Sequence, residues 1–167
     1  MPASSERPTV LVVDDEPFNL SLMDGILSKH YNVKLADNSL KALELAFAEP
    51  PDLILLDVMM PDVDGFEVCR RLMGNPATNH VPIIFITAKN ETKDEELGFS
   101  VGASDFIHKP ISAPIVAARV RTHLKIKFMQ DYLRHENTKL RENDEEKSSE
   151  LRQLRDFMWG PSQLPKR

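Results

Sequence analysis

A chain of 167 residues, 41% hydrophobic and 28% charged, holds enough apolar mass for one well-buried core. No apolar run approaches the ~20 residues that span a bilayer, and the opening Met-Pro-Ala-Ser-Ser-Glu-Arg-Pro lacks the apolar centre of a signal peptide. One cysteine, Cys69, excludes an internal disulfide framework and suits a reducing cytoplasm, the expected location, while a net charge of −5 argues against nucleic acid as an obligatory partner.

Residues 1–8 read as a disordered lead. Thr9 to Val13 is a short apolar strand followed by Asp14, Asp15 and Glu16, and Pro17 suits a first helical turn because its missing N–H costs nothing there. Phe18, Leu22 or Met23, and Ile26 or Leu27 recur at helical spacing. Tyr31 to Ala36 alternates as a strand, with Val33 and Leu35 on one face. Asn38 or Ser39 caps a helix whose predicted stripe is Leu40, Leu43 and Phe47, and Pro50-Pro51 ends it.

Leu53 to Leu56 is a continuous apolar run, as expected of a strand buried on both faces of a parallel sheet, and it delivers Asp57 at its end. Pro61, Asp62, Asp64 and Gly65 mark a loop, with Asp62 and Asp64 read as loop acids without a chemical role. Phe66, Cys69 and Leu72 or Met73 form a third amphipathic helix, where Cys69 is a small core hydrophobe. Asn75 to His80 is a loop, and Pro82 to Ile86 is a second buried strand ending at Thr87-Ala88. Asn90-Glu91-Thr92 fits a glycosylation sequon, read as chance without secretion. Leu97 and Val101 mark a helix closing near Gly102, and Asp105 to Ile107 is a strand ending in His108-Lys109-Pro110. His30, His80, His108, His123 and His135 have no metal spacing and are expected at the surface. From Ser112 the pattern stays helical until Gly160-Pro161.

Five strand–helix alternations with short links imply a parallel sheet covered on both faces. Its carboxyl edge, where open α/β sheets bind ligands, collects Asp14, Asp15, Asp57, Thr87 and Lys109, and neighbouring strands lie only ~4.8 Å apart. Three carboxylates at close range stay ionised only around a cation. Oxygen donors without His or Cys select a hard ion such as Mg²⁺. With a lysine and a hydroxyl added, the set suits phosphoryl transfer onto a carboxylate nucleophile.

Five stretches carry a resemblance: Val-Leu-Val-Val-Asp-Asp-Glu at 10–16, Asp57-Val-Met-Met-Pro at 57–61, Gly65, Ile86-Thr87-Ala88, and Gly-Ala-Ser-Asp-Phe-Ile-His-Lys-Pro at 102–110. Residues 9–122 resemble a response-regulator receiver domain of two-component signalling. The resemblance implies a flavodoxin-like (βα)5 doubly wound sheet of order 2-1-3-4-5. It implies that Asp57 takes a phosphoryl group from a histidine kinase or phosphotransfer protein. Asp15, Asp57 and the Met59 carbonyl would bind Mg²⁺, with Asp14 acting through water. Lys109 and Thr87 would engage phosphoryl oxygens, Ala88 would leave room for the group, and Met59 and Lys89 would tune the acyl-phosphate lifetime. Phe106 falls at an aromatic switch position, without the hydroxyl of a Tyr. The Lys109–Pro110 bond is expected to be cis. Beyond self-catalysed phosphotransfer and dephosphorylation no enzymatic activity is expected. A phosphatase of the haloacid-dehalogenase type would need a second acid where Met59 stands.

The last helix outruns a receiver. Residues 123–158 read as a helical extension and candidate coiled coil, and 159–167 as a flexible tail. Ile126, Leu133, Leu140, Leu151, Leu154 and Met158 fit one heptad seam, interrupted by Gln130, Asn137, Asp144 and Lys147. A homodimer is expected. The basic cluster Arg119, Arg121, Lys125 and Lys127 is read as a solvated face. The alternative is that the chain is the receiver part of a larger regulator: residues 119–127 resemble the junction to cyclic-dinucleotide or phosphatase output domains. Signalling then passes to that missing domain rather than to a downstream protein.

Overall fold

A computed structural model describes residues 6–88 and 92–160. The strands are Thr9–Val13 (β1), Asn32–Ala36 (β2), Leu53–Asp57 (β3), Ile83–Thr87 (β4) and Asp105–His108 (β5). The helices between and after them are Pro17–Leu27 (α1), Ser39–Ala48 (α2), Gly65–Met73 (α3), Thr92–Ser100 (α4) and Ala113–Trp159 (α5). All strand pairs are parallel and their order is 2-1-3-4-5. This is the flavodoxin-like, doubly wound sheet expected from the alternation and the resemblance.

Side chains of a strand point alternately to its two faces, so each apolar run feeds two cores. Val10, Val12, Leu53, Leu55, Ile84 and Ile86 join Leu20, Met23 and Leu27 of α1 and Val116, Val120 and Leu124 of α5. Leu11, Val13, Ile54, Leu56, Ile83 and Phe85 join α2 and α3 on the other face, with Cys69 among them. Burial pushes the Cys69 thiol up to about 11, so it is an inert core group. Gly102, at φ +107°, turns the chain after α4 in a conformation that a side chain would strain.

Two predicted stripes are only partly buried: Met23, Leu27 and Leu43 face the core as expected, but the flanking large residues do not. On α1, Leu20, Met23 and Leu27 are buried, whereas Phe18 is 75% exposed. The rotation of α1 is fixed by Asn19, whose amide is buried against Asp14. On α2 the buried residues are Ser39, Ala42, Leu43 and Ala46, and Leu40 and Phe47 face outward. Small residues let α2 lie close on the sheet, and size alone misled the reading.

His123 is half-buried rather than a surface residue. Its Nε2 lies 2.9 Å from Asp105 Oδ2, and Arg119 Nη1 donates to the same oxygen at 2.7 Å. Lys127 is also buried, with its ammonium 3.5 Å from Asp52. Two members of the supposed solvated basic face are therefore held in ion pairs.

The chain divides between Lys127 and Phe128 into two compact units. The first contains the sheet. The second is α5 from Phe128 onward, where Leu133, Leu140, Leu151, Leu154 and Met158 are all exposed. Among the described residues no helix is long and apolar enough to cross a membrane. The expected lead and tail fall largely outside the described residues, as do two residues of the sequon.

Candidate functional site

The register of the sheet assembles the site. Val13 pairs with Leu56, Asp57 with Ile86, and Thr87 with His108. Four of the five strands therefore present a polar residue at the same edge: Asp14 and Asp15 after β1, Asp57 closing β3, Thr87 closing β4, and Lys109 after β5. The backbone continues the pairing past the strand ends, with Val58 N–H donating to Ile86 O at 3.1 Å and Lys109 N–H to Thr87 O at 2.8 Å.

One carboxylate oxygen from each of Asp14, Asp15 and Asp57 lies within 4.8 Å of the others. Asp14 and Asp57 are almost fully buried, and Asp15 is exposed. Lys109 Nζ lies 3.1 Å from Asp57 Oδ2 and 3.6 Å from Asp14 Oδ2. Three carboxylates facing one ammonium leave a surplus of two negative charges. At such separations each like pair repels by roughly 3 kcal/mol at an effective dielectric constant of about 20. A bound hard cation relieves that repulsion, and an all-oxygen donor set fits one.

The pKa directions follow from this geometry. Burial pushes the Asp57 carboxyl above its ordinary value. The Met59 N–H, donated to Asp57 Oδ1 at 3.0 Å, opposes burial, Asp14 adds to it, and Lys109 opposes it. Lys109 is also raised: burial disfavours its charge, but attraction to Asp57, then Asp14 and Glu16, outweighs burial. The two partners shift for different reasons because the carboxylate is sealed beside a second acid, while the lysine tip is partly exposed.

Asp14 is held by two donors that the sequence reading did not single out. Glu16 N–H donates to Oδ1 at 2.9 Å, and Asn19 Nδ2 to Oδ2 at 3.0 Å. The available signal was an asparagine inside an apolar helical pattern. Gly65 is required by close approach, since a Cβ there would overlap the Asp57 carbonyl oxygen. Asp64, read as a loop acid without a chemical role, serves structurally: it caps α3 by accepting from Glu67 N–H at 2.9 Å.

Thr87 is buried at the edge beside Asp57, and the Met59 side chain is exposed there. Phe106 lies apart from the acids. It is buried between Phe85 and Phe99, with ring centroids 5.5 and 5.1 Å away, and its tip fills space that a Cβ on Gly98 would occupy. Lys89 lies outside the described residues. The Lys109–Pro110 peptide is cis. Beside it, Phe18, Asn19, Leu22, Lys109, Pro110 and Ile111 line a hollow of about 280 Å³.

Residues 10–121 match the family model of the response regulator receiver domain. The chain is 41% identical over 148 residues to a probable cyclic di-GMP phosphodiesterase of Vibrio cholerae, covering 89% of this chain and 34% of that protein. It is 44% identical over 126 residues to the response regulator PleD of Caulobacter vibrioides, covering 75% and 28%. The chain thus spans about a third or less of these relatives. Among solved structures, the receiver domain of a signal transduction histidine kinase from Syntrophus aciditrophicus aligns with TM-score 0.66 and 32% identity, covering 71% of this chain and 90% of that one. The chemotaxis protein CheY4 of Vibrio cholerae aligns with TM-score 0.67 and 26% identity, covering 70% and 98%.

Proposed function

The chain belongs to the response regulator receiver family, and from that premise we propose that Asp57 is its phosphoacceptor. The observation that supports this assignment is the aligned strand edge, which sets a buried carboxylate 3.1 Å from Lys109 and beside two further acids. An Asp57 carboxylate oxygen attacks the phosphorus of a phosphohistidine. The new O–P bond forms as the N–P bond breaks, and the bonding pair stays on the imidazole nitrogen. The product is an acyl phosphate on Asp57. Lys109 faces the position that the phosphoryl oxygens take, and the Thr87 hydroxyl donates to another of them.

Asp15, Asp57 and the Met59 carbonyl, with Asp14 acting through water, would hold a Mg²⁺ ion. When bound, the ion supplies positive charge that offsets the phosphoryl oxygens and the surplus of the acids. The exposed Phe18 and Leu22, with Pro110 and Ile111, border the hollow beside Lys109. They suit the docking of a phosphodonor protein. Phe106 and Thr87 act as the switch pair, and Met59 and Lys89 tune the acyl-phosphate lifetime.

Incubated with Mg²⁺ and acetyl phosphate, the protein gains one phosphoryl group, labile to base and to hydroxylamine. Asp57→Asn does not gain it. Labelling of that variant at the wild-type level removes Asp57 from its role.

The output is read at the second unit. Its exposed heptad seam supports a phosphorylation-enhanced homodimer through a coiled coil. Beryllofluoride with Mg²⁺ then shifts the protein toward dimer in sedimentation, and cutting after Thr122 weakens dimerisation in both states. A second reading has its own support. The likeness to the Vibrio cholerae phosphodiesterase covers 148 residues, more than the 127 of the first unit, so it continues past Lys127. The extension then connects the receiver to an enzymatic output domain. A truncated protein that dimerises as tightly as the full chain favours this second reading.

A further inference from the structure

The segment from Val58 to Asp64 is tied at both ends, and one tie comes from a helix that contributes nothing else to the site. At its start, Val58 N–H is bonded to Ile86 O, Met59 N–H to Asp57 Oδ1, and Gly65 N–H closes back on Val58 O at 3.1 Å. At its far end, Asp62 reaches the first turn of α2. Its Oδ2 accepts from Ser39 N–H at 2.9 Å and its Oδ1 from the Ser39 hydroxyl at 3.1 Å. The same hydroxyl lies 2.6 Å from the Val63 carbonyl oxygen, and Ser39 is fully buried.

Ser39 is not needed as the cap of α2. Asn38 already accepts from Lys41 N–H at 2.8 Å. The first N–H groups of a helix lack partners within it and favour a negative charge, so α2 offers a socket and Asp62 fills it. Burial alone would raise the Asp62 carboxyl, but the N–H groups of Val63 and Ser39 and the Ser39 hydroxyl hold it below its usual range. Only Met60 and Pro61 separate the two ties.

We propose that the Ser39–Asp62 clamp is a positioning device for the phosphorylation site, fixing the loop so that the Met59 carbonyl faces the acidic cluster. Asp62 touches no reacting atom. It acts through Met59, and the proposal rests on the Mg²⁺ reading given above. A merely structural role for Asp62 makes a different forecast: lost stability without a selective loss of metal affinity.

The test is a Mg²⁺ titration of the full chain by calorimetry, beside amide hydrogen exchange in EDTA. Asp62→Ala should raise the Mg²⁺ Kd about tenfold, the low end for loss of an outer support, and Ser39→Ala, which keeps the backbone N–H to Asp62, should raise it by less. Both should speed exchange at Met59 and Val63 without metal. Asp62→Asn keeps an acceptor for Ser39 N–H and should recover most of the affinity. Asn38→Ala, which removes the cap of α2 but leaves the clamp, should lower Tm and leave Kd unchanged. A Kd for Asp62→Ala within twofold of wild type overturns the clamp, as does equal weakening by Asn38→Ala. Absence of Mg²⁺ binding to the wild-type protein instead takes down the metal reading, and with it this inference.

Discussion

Acidic residues are dense in two places, and only one of them makes a site. Asp14, Asp15 and Asp57 come from two strand ends, are brought within 4.8 Å, and include two buried carboxylates facing a lysine. Glu142, Asp144, Glu145, Glu146 and Glu150 are closer in sequence, yet all lie exposed on α5. A helix spreads neighbouring charges around its axis, where water solvates each one. A parallel sheet gathers distant residues onto one edge and seals them. The apolar residues teach the same lesson: Leu56 is fully buried in the first unit, and Leu140 is 60% exposed in the second. The first unit buries its own apolar run, while the seam residues of the second lie exposed.

That contrast is broken or sharpened by substitution. The largest effect is expected at Leu56. Leu56→Ala should cost about 3 kcal/mol in denaturant unfolding through lost burial and a cavity. Leu140→Ala should change the stability of the first unit by less than about 0.5 kcal/mol and be felt in self-association. Comparable costs for the two would contradict the division between units.

Next comes Asp15→Asn, which removes an exposed acid that is useful only in company. Mg²⁺ affinity should fall on the order of tenfold or more, with phosphorylation slowed in step. Unchanged Mg²⁺ binding would make the acid pair structural.

A smaller effect of opposite sign is expected from Asp57→Asn in EDTA. The folded-state pKa of Asp57 is raised. Its contribution to stability is therefore fully present below the unfolded value, near ~4, and is lost as pH rises through the folded value. At neutral pH the ionised group is a burden, so the variant should be more stable by about 1 kcal/mol, roughly 2–4 °C in Tm. The gain should vanish in acid. A lower Tm at neutral pH would mean that the Lys109 pair outweighs burial.

The smallest effect is at Asp105, whose carboxyl is held low: burial would raise it, but hydrogen bonds from His123 and Arg119 prevail. Its contribution is present above the ordinary carboxylate range and lost as pH falls through the lowered value. Asp105→Asn should cost about 1 kcal/mol or less at neutral pH, with the gap to wild type closing in acid. A gap that is flat with pH would exclude the pairing as its source.

Strands were the most legible feature of the sequence, because a run such as Ile83 to Ile86 must be buried on both faces and leaves few alternatives. The strand-end residues followed from them, since parallel strands share a direction. Helix rotation was less legible. Phe18 and Phe47 attract the core by size, but a polar anchor at Asn19 and the small residues Ala42 and Ala46 decide which face is buried. Hydrogen bonds between distant elements left no local trace. The Ser39–Asp62 contact crosses 23 residues and the Asp105–His123 contact 18, and both tie down residues that the sequence made look bland.

The central claim is that the phosphoryl group resides on Asp57, and chemical trapping tests it most directly. Protein phosphorylated with acetyl phosphate and Mg²⁺ is reduced with borohydride, which converts an aspartyl phosphate to homoserine, and the peptides are sequenced by tandem mass spectrometry. Homoserine at position 57 alone is the predicted result. Homoserine at Asp14, Asp15 or another acid, with an unmodified Asp57, would contradict it.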